Sequence, residues 1–171
     1  MMPLFLCLSA SVLLTQAPAA AAAPAPGGKV HIGTYDSRAI AVAYAPSRFN
    51  PVKEKMAEFE KAKAAGDAAK MKELQTWGEQ FQRQLHFQGF GRVPVDDLLA
   101  PVKEHVARLG RERGLAAITM SCEFTGPDVE LVDVTDDLVK LFEPSEKTLD
   151  MVRQVRKVPP TPLPQLDKTK P

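Results

Sequence analysis

The chain has 171 residues, room for one domain and its appendages. Its 22 basic and 21 acidic side chains leave a formal charge of +1, so nothing marks it as a general binder of nucleic acid or of an anionic membrane surface. Aromatic residues make up only 6%, little for a large compact core, and the 15 prolines gather mostly toward the two ends.

Residues 1–28 carry no charge. A short apolar run at 4–14 is followed by the small-residue tract 17–23, the pattern of an export signal, and the run is too short to span a bilayer. No Lys or Arg precedes the run, so the alternative is an Ala/Pro leader on a cytosolic protein. Export is the preferred reading, to the periplasm or beyond. Leu4-Phe5-Leu6 lacks the small residue that precedes a lipidated cysteine, so Cys7 is not read as a lipid anchor. Removing the leader leaves Cys122 as the only cysteine, with no internal disulfide and no metal-type spacing.

Residues 29–35 read as a strand, with Val30, Ile32 and Thr34 on one face and His31, Gly33 and Tyr35 on the other. Asp36 or Ser37 then caps a short helix through Arg38, Ala39, Ile40 and Val42. His31, opposite the Val30/Ile32 face, is expected to be exposed.

The middle is helical. Val52, Met56, Phe59 and Ala62 recur at helical spacing, and the pattern resumes at Met71, Leu74, Trp77, Phe81 and Leu85. Gly66 suits a helix stop and Asp67 a helix start, which predicts a hairpin with legs of ~22 Å. One continuous helix over 51–87 is the alternative, since a glycine costs only ~1 kcal/mol. After Gly89, Gly91 and Pro94 break the pattern, a further helix is expected, with Pro101 in its first turn, Leu98, Leu99, Val102, Val106 and Leu109 on its buried face and Gly114 as its stop.

Residues 115–142 read as strand, turn, strand and capped helix. Ile118, Met120, Cys122 and Phe124 alternate with Ala117, Thr119, Ser121 and Glu123, which predicts one apolar face with Cys122 packed on it. Thr125-Gly126-Pro127-Asp128 is a turn signal, Val129, Leu131 and Val132 form a second strand, and Thr135 is placed to cap a helix carrying Leu138, Val139, Leu141 and Phe142. The first strand, 30–34, is the natural partner of these two. Beyond Glu143 a short amphipathic piece (Leu149, Val152, Val155) leads to the proline-rich 159–171, read as a tail.

A strand, a helical arm and a return to a strand–strand–helix cap resembles the Skp/OmpH-like family of periplasmic chaperones. The resembling residues are 30–37 and 102–142, with Gly114-Leu115-Ala116-Ala117-Ile118 similar to the strand after the returning arm, and residues 128–139 similar to a terminal Asp-(Ile/Val)-Thr-x-x-(Leu/Val) segment. The resemblance implies an α+β fold: a small antiparallel or mixed sheet body with a projecting helical hairpin, assembled as a trimer around a client cavity. On that reading residues 1–28 are the leader, 29–143 the OmpH-like domain with its arm at about 50–113, and 144–171 the tail. The chain departs from the family in its short, Gly/Pro-interrupted arm, its near-neutral charge and its proline-rich end.

The implied function is that of an ATP-independent holdase for unfolded or outer-membrane proteins. The alternative is a structural or adaptor envelope protein on the same body. The candidate client-binding residues are Met56, Phe59, Met71, Trp77, Phe81 and Phe87, because flexible Met and broad aromatic side chains suit promiscuous binding. At helical spacing the same residues would equally zip the two hairpin legs together. No nucleophile, acid–base pair or ligand cluster stands out, so no catalytic residue, metal or cofactor is assigned and no enzyme activity is expected. His31, His86 and His105 lie far apart.

Overall fold

The computed structural model describes residues 28–166. The expected export leader therefore lies outside the described residues, apart from Gly28. Among the described residues no helix is long and apolar enough to cross a membrane.

Strand β1 (Val30–Thr34) is followed by α1 (Ser37–Tyr44), the hairpin helices α2 (Val52–Ala65) and α3 (Ala68–Phe90), then α4 (Asp96–Leu99) and α5 (Lys103–Glu112). Strands β2 (Leu115–Thr119) and β3 (Val129–Asp133) come next, then α6 (Thr135–Lys140), α7 (Glu146–Val155) and the single turn α8 (Leu163–Leu166). The sheet order is β2-β1-β3, and β1 pairs parallel with both neighbours.

The sheet is therefore all-parallel, which corrects the antiparallel or mixed sheet expected from the sequence. Thr125-Gly126-Pro127-Asp128 does make a turn, with the Val129 N–H donating to Gly126 O at 3.2 Å. That turn feeds β3 onto the far side of β1, so the two strands it separates never pair. The connection 120–128 has to travel back ~17 Å and cross two strand spacings, ~10 Å, and its maximum reach of ~30 Å allows this.

The face that β1 turns to the core is also reversed, while Ile118 and Met120 pack inward as expected. Gly33 lies on the core side: a Cβ there would come within 2.9 Å of Leu115 Cδ1 and 3.2 Å of both Ile118 Cγ1 and Val134 Cγ2. Glycine is present because three branched side chains converge on it. Skipping Ala116 in the β1–β2 register lets both Leu115 and Ile118 turn inward. Val30, Ile32, Val129 and Leu131 consequently share the outer face, where Leu131 is 44% exposed. His31 shares the inner side with Gly33 and is half-buried, not exposed. Strand β2 ends at Thr119, so the alternation expected up to Phe124 stops short. Cys122 is half-buried in the connection, its thiol donating to Phe124 O at 3.0 Å, and Phe124 is 84% exposed.

The core gathers on α1. Ala39, Ile40, Ala41, Ala43 and Tyr44 are buried, and α3, α4, α6 and α7 all pack against this one helix. Asp36 caps it, its carboxylate accepting from the Arg38 N–H at 3.0 Å. Thr135 does not cap α6; its hydroxyl instead accepts from the Asp36 N–H at 3.0 Å, tying the β1–α1 junction to the β3–α6 junction. Asp133 accepts from the Thr135 N–H at 2.9 Å and pairs with Arg156.

Three further expectations change. Val95, Leu98 and Val102 are core residues, so the expected arm over about 50–113 shortens to the α2–α3 hairpin. The expected single helix after Pro94 is broken at Pro101, where a tight turn over Ala100–Val102 separates α4 from α5. The segment after Glu143 is not a free tail as far as Leu166. Ser145 caps α7, Val152 is 3% exposed against the core, and Leu163 and Leu166 lie against Gly91 at the end of α3.

Val152→Asp places an unpaired charge in that core and should lower the stability of the whole body by at least ~2 kcal/mol in urea unfolding, whereas a free tail would give no change. Asp133 supplies a pH signature. Burial raises its pKa, but the hydrogen bonds from Thr135 and the charge of Arg156 outweigh this and hold it below the usual 3.8. Its contribution to stability is present above pH 3.8 and is lost as pH falls toward the folded value. Unfolding midpoints measured across that acid range should fall less steeply for Asp133→Asn than for the wild type; equal slopes would remove Asp133 from the account.

Candidate functional site

The hairpin is built as its punctuation dictates. Gly66 adopts φ +69°, and its N–H bonds back to the end of α2, while the Asp67 carboxylate accepts from the Lys70 N–H at 2.9 Å to start α3. The turn therefore closes α2 against α3, and α2 rests mainly on that partner. At its far end α3 lies on α1, with Phe81 and Leu85 packed against the body core.

Ala62 and Leu74 are the apolar side chains fully buried within the hairpin. Between its legs an apolar cavity of about 490 Å³ remains open to solvent. Met56, Phe59, Trp77 and Phe81 line it, with Leu74 and Leu85 contributing further apolar wall. Trp77 and Phe81, one turn apart, stack at 5.0 Å between ring centroids with planes 14° apart, giving a flat aromatic wall. Met56 is 64% exposed on the opposite leg. Lys55, Glu60, Gln75 and Gln82 stand around the apolar walls. The groove offers apolar contact from both helices, and its polar rim supplies hydrogen-bonding groups for a bound chain's edges.

Four of the six residues singled out in the sequence come together here. Met71 is half-buried nearer the turn and does not line the groove. Phe87 belongs to a different shallow groove with Val93 and Pro94, and carries the Arg83 guanidinium 5.6 Å above its ring. Val52 and Leu85 line the main groove without having been singled out, although their helical spacing with Met56 and Phe81 is visible in the sequence. Among the described residues there is no group of three or more His, Cys, Asp or Glu that could hold a metal ion.

Comparison of the chain with protein-family models, curated proteins and solved structures finds no match.

The hairpin geometry separates two roles that the periodicity merges. Leu74→Ala, which opens a cavity between the legs, should cost ~2 kcal/mol or more, while Met56→Ala should stay within ~0.5 kcal/mol. Trp77, the only tryptophan, reports on the hairpin directly through its fluorescence during unfolding. Equal losses for the two variants would make Met56 part of the zipper and not of an open wall.

Proposed function

We propose that the chain is an ATP-independent holdase-type chaperone acting in the periplasm or another exported compartment. It holds unfolded or outer-membrane client proteins through the hairpin groove. The observation that carries this reading is the open apolar groove of Met56, Phe59, Trp77 and Phe81. Its chemistry suits clients of varied sequence, because a thioether and stacked rings adapt to many apolar side chains without demanding particular hydrogen bonds.

Self-association, as a trimer, belongs to the same proposal. Supporting it is the outer sheet face, where Val30, Ile32, Val129 and Leu131 form an apolar patch on a three-stranded sheet with both edges unpaired among the described residues. A structural or adaptor role on the same body is the outcome to expect if the groove takes one fixed partner.

A direct test dilutes an unfolded outer-membrane β-barrel protein from urea into an excess of this protein, without nucleotide, and follows light scattering. Aggregation should be suppressed several-fold by the wild type and much less by Met56→Asp. Undiminished aggregation with the wild type would sink the holdase reading. A photo-crosslinker at position 56 in cells should label many proteins; a single labelled partner would favour the adaptor. Light scattering of the eluted protein should give a trimer, converted to a smaller species by Leu131→Lys.

A further inference from the structure

A second cavity, of about 330 Å³ and polar, lies away from the hairpin at the carboxyl ends of the strands. A parallel sheet delivers the loops after all its strands to one edge, and such edges are where parallel α/β sheets commonly take ligands. Here Thr34, Met120 and Asp133 bring the ends of β1, β2 and β3 to the cavity wall. The chain beyond α7 closes it with Arg156 and Pro160.

Three arginines line this space, and two are already committed. Arg38, almost wholly buried, donates through Nε and Nη2 to the Asp36 carboxylate at 3.0 and 2.6 Å and through Nη1 to Val158 O at 2.8 Å. Arg156 pairs with Asp133 and, at 2.8 Å, with Asp136. Arg92 is different. It is exposed, its guanidinium makes one long bond, 3.3 Å to Met120 O, and it has no carboxylate partner among the described residues. Tyr35 is the other unspent group. It lines the same cavity and is only 8% exposed as a residue, and its phenol oxygen, which makes no hydrogen bond to the described residues, is not among the buried unpaired atoms and so keeps contact with solvent. Burial first, and the Asp96 carboxylate second, push the Tyr35 phenol above its ordinary pKa, so it stays a neutral donor at pH 7.

We propose that this cavity binds a small ligand through an α-carboxylate with an adjacent N–H, anchored on the fork of Arg92. The charge pattern selects that chemistry. Asp36 is matched by Arg38, and Asp133 and Asp136 by Arg156, which leaves Arg92 as the lining guanidinium whose charge no carboxylate among the described residues meets directly. A carboxylate matches that charge and can be held by two parallel N–H bonds. A phosphate dianion would bring a second negative charge toward Asp36 and Asp133 with no further free cation. The ligand's own N–H finds acceptors in those same aspartates, which a purely cationic pocket would lack. Free amino acids and the C-termini of peptides share this group, and the volume sits at the small end of ligand cavities.

Calorimetric titration of the full chain tests this with four probes: N-acetyl-dialanine, its C-terminal amide, free alanine and inorganic phosphate. N-acetyl-dialanine or alanine should bind, the amide about tenfold or more weakly, and phosphate not in preference to the carboxylates. Tighter binding of alanine than of the acetylated dipeptide assigns the site to amino acids, and the reverse order assigns it to peptide C-termini. Arg92→Gln should weaken binding about tenfold, with Arg92→Lys recovering part of it. Tyr35→Phe, which keeps the buried ring, should weaken binding several-fold and serves if the Arg92 variants fail to fold. Absence of carboxylate binding, equal binding of acid and amide, preference for phosphate, or full affinity in Arg92→Gln and Tyr35→Phe overturns the proposal. None of these readouts uses a chaperone client, so the outcome is independent of the holdase assay.

Discussion

The whole body depends on β1 and α1 being made together. Helix α1 is short, and a helix of that length has little stability of its own in water. It exists because α3, α4, α6 and α7 bury it from several sides. Ala39, Ala41 and Ala43 permit this: a methyl group lets a neighbouring helix approach closely, and alanine loses no side-chain entropy in a helix. Larger residues at all three positions would hold the neighbours apart. The strand before it is equally dependent, since β1 takes backbone partners from two segments near the other end of the chain.

That dependence makes the fold strongly non-local. The Asp36–Thr135 hydrogen bond joins positions 99 apart, and it sits where both helix-starting junctions meet. Neither junction can form its final geometry until the chain between them, hairpin included, has been laid out. Such long-range closure has to precede its reward in burial, which slows folding relative to a helical bundle of similar size. The hairpin is the exception, because Gly66 and Asp67 define it locally. It is the one large element able to form before the sheet closes.

The same division explains what could be read in the sequence. Hairpin punctuation is local chemistry, and Gly66, Asp67 and the capped start of α1 at Asp36 were legible from residue type alone. Strand direction was not: Thr125-Gly126-Pro127-Asp128 marks a turn but carries no information about which strand the next segment will join. The choice of sheet face misled for a related reason. Alternation in β1 defines two faces, and hydrophobicity favours Val30 and Ile32 as the inner one. Crowding by Leu115, Ile118 and Val134 instead selects Gly33. A usable signal for α7 was present. From Ala39 to Ala43 the helix after Asp36 is apolar on every side, and a stretch of that kind requires cover all round. The hairpin and the helices after Pro94 could not supply all of it, so Leu149 and Val152 needed to be assigned to the core and not to a tail. The polar cavity was illegible because Tyr35, Arg92, Asp133 and Arg156 are brought together only by the parallel order of the strands.

Periodicity also could not tell a groove from a zipper, and Met56 shows how the structure separates them. Met, Lys and Gln have closely similar helix propensities, so a methionine at this position gains nothing for α2 as a helix. Its 64% exposure means that it gains little from the interior of the hairpin either. Phe59, Trp77 and Phe81 raise the same question with larger side chains, since they leave part of their apolar surface facing the open groove. A hairpin serving only as a strut would be better built by closing the groove with larger side chains or by replacing its exposed positions with charged ones. The adjacent surface is built in that second way, with Lys53, Glu54, Glu60, Lys61 and Lys63 around the apolar stripe. The physical advantage left for an exposed methionine beside stacked aromatic rings is contact with a surface that the described residues do not provide.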